Sequence, residues 1–261
     1  MIEHQFKKKF GQNFISDKNL LNAIVCDAEV SGDDEVLEIG AGGGTLTEAI
    51  SSHAKRVVSY EIDKDLVSHL EDLGLKNVRF VFEDVMKQSI EEIEQNFEGN
   101  YKMIANLPYY ITTPIIFKFL NGSKRIQSLT IMVQKEVAER IVSLQGGKDY
   151  GVLSVMIAFF GQAQITRIVK RNMFYPVPNV DSAIVRIDID RNKFDNIDSE
   201  KFYRFVSGCF AMRRKTLKNN LTKFFADEKE LLSKINPQFL ILRPEQLSLN
   251  DFISLYTEIY K

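Results

Sequence analysis

The sequence is short of the residues that build covalent staples and metal sites. It has two cysteines, Cys26 and Cys209, and no C-x-x-C pair. A disulfide framework, a zinc ribbon and a redox dithiol are thereby excluded, and a reducing compartment is expected. The three histidines, His4, His53 and His69, are scattered and share no metal-ligand spacing, so no metal is expected. Long apolar runs are missing too. The longest, Val152 to Phe160, has nine residues with a serine inside, whereas a membrane span needs about 20. Lys7, Lys8 and Lys9 are not followed by an apolar stretch, and no arginine precedes Arg56, so neither a secretory signal nor a transit peptide is read here. These absences point to the cytoplasm. Net charge is nearly absent as well. Lys and Arg number 34 against 35 Asp and Glu, leaving -1, which excludes a uniformly basic nucleic-acid coat but leaves room for a local basic patch.

What the sequence does hold is enough apolar material for a core. Its 261 residues are 44% hydrophobic and 26% charged, sufficient to fold without staples. Residues 17–28 predict a short amphipathic helix with Ser16 as N-cap. Val36 to Ile39 reads as a buried strand running into GAGGGTLTEAI, whose glycines open a helix over about Thr45 to His53. RVVSYEID, VRFVFEDV and KMIANLPYY follow as strands, ending at Glu61, near Glu83 and Asp84, and at Asn106. Pro114 starts another helix, in a first turn where its missing N–H costs nothing. SLTIMVQ is a fifth strand leading into the helix KEVAERIVSL, and Gly151 to Phe160 is a further helix. QITRIVK and SAIVRIDI read as closing strands. Alternation of strand and helix up to about residue 188 marks a doubly wound α/β domain with a mainly parallel sheet. From Ser199 the pattern is helical. The polar stretch at 189–198 divides a first domain, residues 1–190, from a small helical domain, residues 191–261.

EIGAGGG carries the first chemical signal. Gly40, Gly42 and Gly44 lie between a strand and a helix, where glycine permits a sharp turn and lets a ligand approach the backbone. Thr45 stands in the place of the last glycine of G-x-G-x-x-G, which weakens a pyrophosphate-binding reading. Glu61, 21 residues past Gly40, can accept hydrogen bonds from both ribose hydroxyls, and Asp84 from an adenine amino group. Each acid alone reads equally well as a solvated loop charge. Together, on successive strand ends, they suit S-adenosylmethionine, a nucleoside cofactor without pyrophosphate.

Asn106-Leu107-Pro108-Tyr109 carries the second. The exocyclic amine of adenine is a poor nucleophile because its lone pair is delocalised into the ring. The side-chain oxygen of Asn106 and the carbonyl of Leu107 can accept its N–H groups as the nitrogen becomes tetrahedral. Pro108 fixes the backbone there, and Tyr109 offers a face on which a base can stack. Catalysis of this kind is mostly positioning and electrostatic preorganisation. A base edge inside a duplex cannot reach such a site, so the target is flipped out or lies in a loop. Phe174, in the stiff FYPVP loop, reads either as a second stacking face or as a core phenylalanine beside a strand.

With these motifs together, the chain resembles the bacterial ribosomal RNA adenine N6,N6-dimethyltransferases, whose wider family includes the Erm resistance methyltransferases. The resemblance runs from FGQNF at residues 10–14 through EIGAGGGTLT, YEID, Glu83-Asp84 and ANLPYYITTP. It continues through MVQKEVAERI, YGVLSVM, FYPVPNVDSAIVRI and FAMRRKTLKNNL. The last four favour the ribosome-biogenesis branch over the resistance branch. The resemblance implies a Rossmann-like methyltransferase domain with a small helical C-terminal domain. It also implies dimethylation of two adjacent adenosines in the 3′-terminal hairpin of 16S rRNA, on a pre-30S small-subunit particle; a monomer is expected. Its cofactor residues map onto Asn13, Ile15, Gly40, Glu61, Asp84 and Asn106, with Asn13 closing the pocket from the N-terminal segment. Ile15 stands where the family usually has leucine, Ala41 where it has proline, and Tyr110 where it commonly has asparagine.

Positive charge is unevenly spread. Residues 204–226 hold Arg204, Arg213, Arg214, Lys215, Lys218 and Lys223 and no acid, and residues 163–180 add Arg167, Lys170 and Arg171. Lys7, Lys8 and Lys9 form a third cluster. Residues 61–100, by contrast, hold eleven acids and four bases. Any one basic cluster reads as a solvated helix face, but the three together read as an RNA footprint. Competing readings are an Erm-like enzyme acting on large-subunit RNA, a DNA adenine methyltransferase, an NAD-dependent oxidoreductase, and a non-catalytic RNA-binding factor on the same fold. The intact tetrad argues against the last, and Thr45 against the oxidoreductase.

Overall fold

In a computed structural model, which describes residues 14–260 apart from Tyr109, Asn192, Asp195, Arg213, Asp227 and Glu228, strands and helices alternate as the sequence predicts. The order is β1 (Phe14–Ile15), α1 (Lys18–Asp27), β2 (Glu35–Ile39), α2 (Thr45–Ser51) and β3 (Arg56–Tyr60). A 3-10 turn then leads into α3 (Val67–Glu71), followed by β4 (Val78–Val81), α4 (Ile90–Glu94), β5 (Tyr101–Asn106), α5 (Thr112–Gly122) and β6 (Ile126–Gln134). After α6 (Lys135–Ile141) and α7 (Val152–Phe160) come β7 (Gly161–Val169), β8 (Phe174–Tyr175) and β9 (Ser182–Ile189).

Seven strands form one sheet in the order β4-β3-β2-β5-β6-β9-β7. Strands β2 to β6 pair in parallel, and β9 runs antiparallel to β6. Every residue of β2 is buried, Glu35 and Glu38 included, as expected of a central strand covered on both faces. From β2 the chain winds outward through β3 and β4, then returns to place β5 on the other side of β2. That reversal opens a crevice at the carboxyl ends of β2 and β5, where open α/β sheets bind ligands. A separate two-stranded ladder pairs β1 with β8, with Ile15 opposite Phe174.

Two local readings change. Asp17, not Ser16, caps α1, its Oδ1 accepting the Leu20 N–H at 2.9 Å. The helix starts one residue later than the apolar pattern suggests, so the third helical N–H falls within reach of Asp17. Strand β4 stops at Val81, which leaves Glu83 and Asp84 on the loop beyond it.

The chain divides into two units: Met1–Ala138 with Ala163–Ile189, and Glu139–Gln162 with Asp190–Lys261. The second contains α7, α8 (Ser199–Cys209), α9 (Leu217–Phe224), α10 (Pro237–Leu240) and α11 (Leu249–Tyr260). The sequence reading kept residues 139–162 in the first domain. They group instead with the C-terminal helices because α7 is apolar on nearly all sides and needs partners all round. Phe159 stacks on Phe202 at 4.7 Å and on Phe194 at 5.3 Å, and Phe202 meets Tyr256 edge-on. No described helix is long and apolar enough to cross a membrane.

Gly44 is the residue on which the β2–α2 connection turns. It caps α2 at φ +80°, and a Cβ there would overlap Leu73 Cδ1 and lie 3.1 Å from Leu70 Cδ2. Gly44→Ala is therefore expected to lower unfolding free energy by about 1–3 kcal/mol, the sum of left-handed backbone strain and overpacking. Urea denaturation checks this, and an unchanged midpoint would sink the argument.

Candidate active site

The crevice is a cavity of about 310 Å³. Gly40 and Gly42 form one wall after β2, Glu61 follows β3, Asp84 follows β4, and Asn106 and Leu107 end β5. Four loops that are distant in sequence thus converge because parallel strands all present their carboxyl ends to one edge. Gly40 has φ +87°, and a Cβ on it would stand 3.5 Å from the Asn106 carbonyl oxygen. The glycine turn and the tetrad are therefore in near contact.

Glu61 is buried and organises the turn. Its Oε2 accepts the Gly42 N–H at 2.8 Å, and its Oε1 accepts the N–H groups of Ile62 and Asp63, each at 2.8 Å. A carboxylate offers roughly four acceptor positions, and backbone N–H groups occupy three of them. Beneath it lies Glu38, fully buried on β2. Its Oε2 accepts the hydroxyls of Thr47 at 2.6 Å and Ser59 at 2.5 Å. Burial pushes the Glu38 carboxyl up to about 7 against the pull of those hydroxyls, and the nearby Glu61 charge pushes the same way.

Asp84 is fixed by its own loop: its Oδ1 accepts the Met86 N–H at 2.9 Å. Ile15 lines the cavity from β1, and its carbonyl accepts the Thr45 hydroxyl at 3.0 Å. That contact gives Thr45, the departure from G-x-G-x-x-G, a structural task. Pro108 also lines the cavity, and its carbonyl accepts the Ile111 N–H at 3.1 Å, closing the turn into α5.

Of the residues singled out from the sequence, Ile15, Gly40, Gly42, Glu61, Asp84, Asn106, Leu107 and Pro108 all border this cavity. Asn13, Tyr109, Lys7, Lys8, Lys9 and Arg213 lie outside the described residues. Phe174 does not border it. At 4% exposure it sits in the core cluster with Ile15, Val169 and Ile184, so the core alternative is the one observed and its ring presents no face to a base. The reason is its register opposite Ile15, which turns the ring inward. Arg214, Lys215 and Lys218 are exposed on the second unit. The basic stretch 163–180 is less free than it reads. Arg167 pairs with Asp27 at 3.0 Å and Lys170 with Asp181 at 2.9 Å.

Several cavity residues were not singled out from the sequence as contributors, Leu21, Tyr60, Ile62, Val85 and Met86 among them, and Tyr110 was noted there only as a departure from the family pattern. Ile62, 46% exposed beside Glu61, presents an apolar surface to the cavity, and Tyr110 stands at it with 68% of its surface exposed. An isoleucine placed directly after a strand-end acid was the available signal for Ile62.

The family model for ribosomal RNA adenine dimethylase matches residues 3–260. The chain belongs to the ribosomal RNA adenine dimethylase family, and its first unit has the Rossmann-like methyltransferase fold. It is 41% identical to ribosomal RNA small subunit methyltransferase A of Levilactobacillus brevis, over 95% of this chain and 88% of the relative. It is also 41% identical to the protein of that name from Mycoplasma mobile, over 99% and 100%. Among solved structures, a dimethyladenosine transferase from Plasmodium falciparum matches with a TM-score of 0.80 at 27% identity, covering 94% of this chain and 96% of that one. The 23S rRNA methyltransferase ErmE matches at 0.69 and 26% identity, covering 95% and 100%.

Glu38 generates a pH prediction. Its folded-state pKa is raised from 4.5 to about 7, so its contribution to stability is fully present below pH 4.5 and is lost as pH rises through 7. Relative to Glu38→Gln, the wild-type protein is expected to lose up to roughly 3 kcal/mol between pH 4.5 and pH 8. Urea unfolding of both proteins across that range measures it. Parallel stability curves would mean that Glu38 ionises normally in the fold.

Proposed function

We propose that this protein transfers methyl groups from S-adenosylmethionine to N6 of two adjacent adenosines in the 3′-terminal hairpin of 16S rRNA, acting as a monomer in the cytoplasm on a pre-30S particle. One observation carries the reading: the tetrad residues Asn106 and Leu107 border the same cavity as the glycine turn, Glu61 and Asp84. Full-length relatives named for the small subunit support the substrate.

The cavity fits the cofactor. Gly40 leaves an opening that a Cβ would narrow, against the Asn106 carbonyl. Glu61 accepts from the ribose, and Asp84 takes the adenine amino group, since only its Oδ1 is engaged by the loop. Ile62 provides the apolar face against the purine. When bound, S-adenosylmethionine supplies an activated methyl group. The chain then has to orient the target amine. In the first transfer the oxygens of Asn106 and Leu107 accept its two N–H groups, and in the second one of them accepts the single N–H that remains; each time the lone pair is drawn out of conjugation. Pro108 holds the Leu107 carbonyl, and Tyr109 stacks on the base. The amine attacks while neutral and sheds its proton afterwards, so no general base is required before transfer. Arg213, Arg214, Lys215 and Lys218, with Lys7, Lys8 and Lys9, bind phosphates and add affinity without sequence choice. RNA shape then selects the target.

Likeness to ErmE supports a second reading, large-subunit RNA as substrate. Tritiated S-adenosylmethionine, offered with small-subunit particles from cells lacking the modification, with large subunits and with duplex DNA, separates the two. Label is expected in the small-subunit particles alone.

Asn106→Ala is expected to slow transfer by about 100–1,000-fold, the cost of one preorganised hydrogen-bonding group, while cofactor affinity changes far less. Single-turnover methylation and calorimetry measure the two effects, and near-normal turnover would refute the mechanism. Replacing Arg213, Arg214 and Lys215 with alanine is expected to leave cofactor binding intact. The log–log salt slope of particle binding should fall by about 0.7–0.9 for each phosphate that is no longer neutralised. An unchanged slope with unchanged methylation would put the RNA surface elsewhere.

A further inference from the structure

The loop that carries Asp84 is held from outside by a lysine on α5. Lys118 is half-buried, and its Nζ donates to the carbonyl of Met86 at 3.4 Å and to that of Gln88. The N–H of Met86 in turn donates to Asp84 Oδ1 at 2.9 Å. One residue, Met86, is thus gripped on both sides, by the ammonium at its carbonyl and by the Asp84 carboxylate at its N–H. Gln88 closes the same loop by donating from its side chain to Glu83. Two of its neighbours on α5, Ile116 and Phe119, are fully buried, so the base of Lys118 is anchored in the core. Helix α5 begins directly after the tetrad.

The placement is costly for the lysine. Burial pulls its pKa below the ordinary value, while the charges of Asp84 and Glu92 pull it back up. A long cation held at two loop carbonyls beside an acid suits a device that sets where that acid stands.

We propose that Lys118 is a positioning residue for the cofactor: by clamping the 83–88 loop to α5 it fixes the Asp84 carboxylate at the adenine end of the cavity and ties that end to the tetrad segment. This rests on the reading of Asp84 as the adenine acceptor. Lys118 touches neither the cofactor nor the target base, so its loss weakens cofactor binding and leaves the chemical step alone.

The test is a double-mutant cycle with S-adenosylhomocysteine as probe, read by calorimetry on the full chain. Lys118→Met is expected to raise Kd about 10-fold, as for a lost charge-assisted hydrogen bond. Lys118→Arg, which keeps a cation and donors, is expected to stay within about 3-fold of wild type by the same scale. In an Asp84→Ala background the loss from Lys118→Met should shrink to about 2-fold or less, because coupled groups are non-additive. Turnover of small-subunit particles at saturating S-adenosylmethionine should be unchanged in Lys118→Met. Equal losses in both backgrounds, or a fall in turnover at saturation, would overturn the proposal. So would unaltered affinity in Lys118→Met alongside a weakened Asp84→Ala. If Asp84→Ala alone binds normally, the Asp84 reading fails first and takes the proposal with it. Should Lys118→Met not fold, Lys118→Gln carries the same comparison, and failure of both to fold would assign Lys118 to stability alone.

Discussion

The carboxylate of Glu61 is the fixed point of the molecule's working edge. Glycine-rich backbone has too many conformations open to it to make a site unaided. Here the turn after β2 is sewn to the end of β3 by the Gly42 N–H on Glu61 and by the N–H groups of Gly40 and Ala41 on the Tyr60 carbonyl, at 2.8 and 3.3 Å. Burying a charged carboxylate is expensive. Three charge-assisted hydrogen bonds from backbone N–H groups offset that cost, and the result is a turn with one geometry.

From that point the remaining wall of the cavity follows. Strand β5 lies next to β2, so Asn106 emerges against Gly40. Strand β4 lies beyond β3, so the Asp84 loop closes the far end. Glu38 supports the floor from below, joining β2 to β3 through Ser59 and to α2 through Thr47. The carboxylates of Glu61 and Asp84 are thus held in place by backbone N–H groups, the kind of preorganisation on which catalysis by orientation depends. The same packing explains why a second aromatic face is not supplied by Phe174: the β1–β8 ladder that brings Ile15 to the cavity turns Phe174 into the core.

Charge shows how linear and spatial patterns diverge. The acids of residues 61–100 include the cavity's own Glu61, Glu83 and Asp84, so their excess belongs in part to the site. The bases of residues 163–180 look unopposed along the chain, yet Arg167 and Lys170 meet Asp27 and Asp181. The exposed Arg171, Arg204, Arg214, Lys215, Lys218 and Lys223 keep the character that the sequence suggested, since no described acid pairs with their side chains.

The alternation of strand and helix, the parallel sheet and the location of the site were legible because they rest on local signals. Apolar strand runs, a glycine turn and acids at strand ends act over a few residues, and parallel strands must then deliver those ends to one edge. The family resemblance also lay in short motifs that survive reading in one dimension. Other features depended on partners far away in the chain. The apolar pattern of α7 does not say what it packs on; its contacts with α8 and α11, the Phe159 stack on Phe202 among them, assign it to the C-terminal unit. Whether Phe174 faced a base or the core hung on a register that periodicity does not specify. Lys118 reads as an ordinary helical lysine until the 83–88 loop is seen at its ammonium. Local sequence determines which elements form, because backbone propensity and apolar periodicity are short-ranged. Tertiary structure decides which side chains meet, because packing and hydrogen-bond partners are selected by proximity in space.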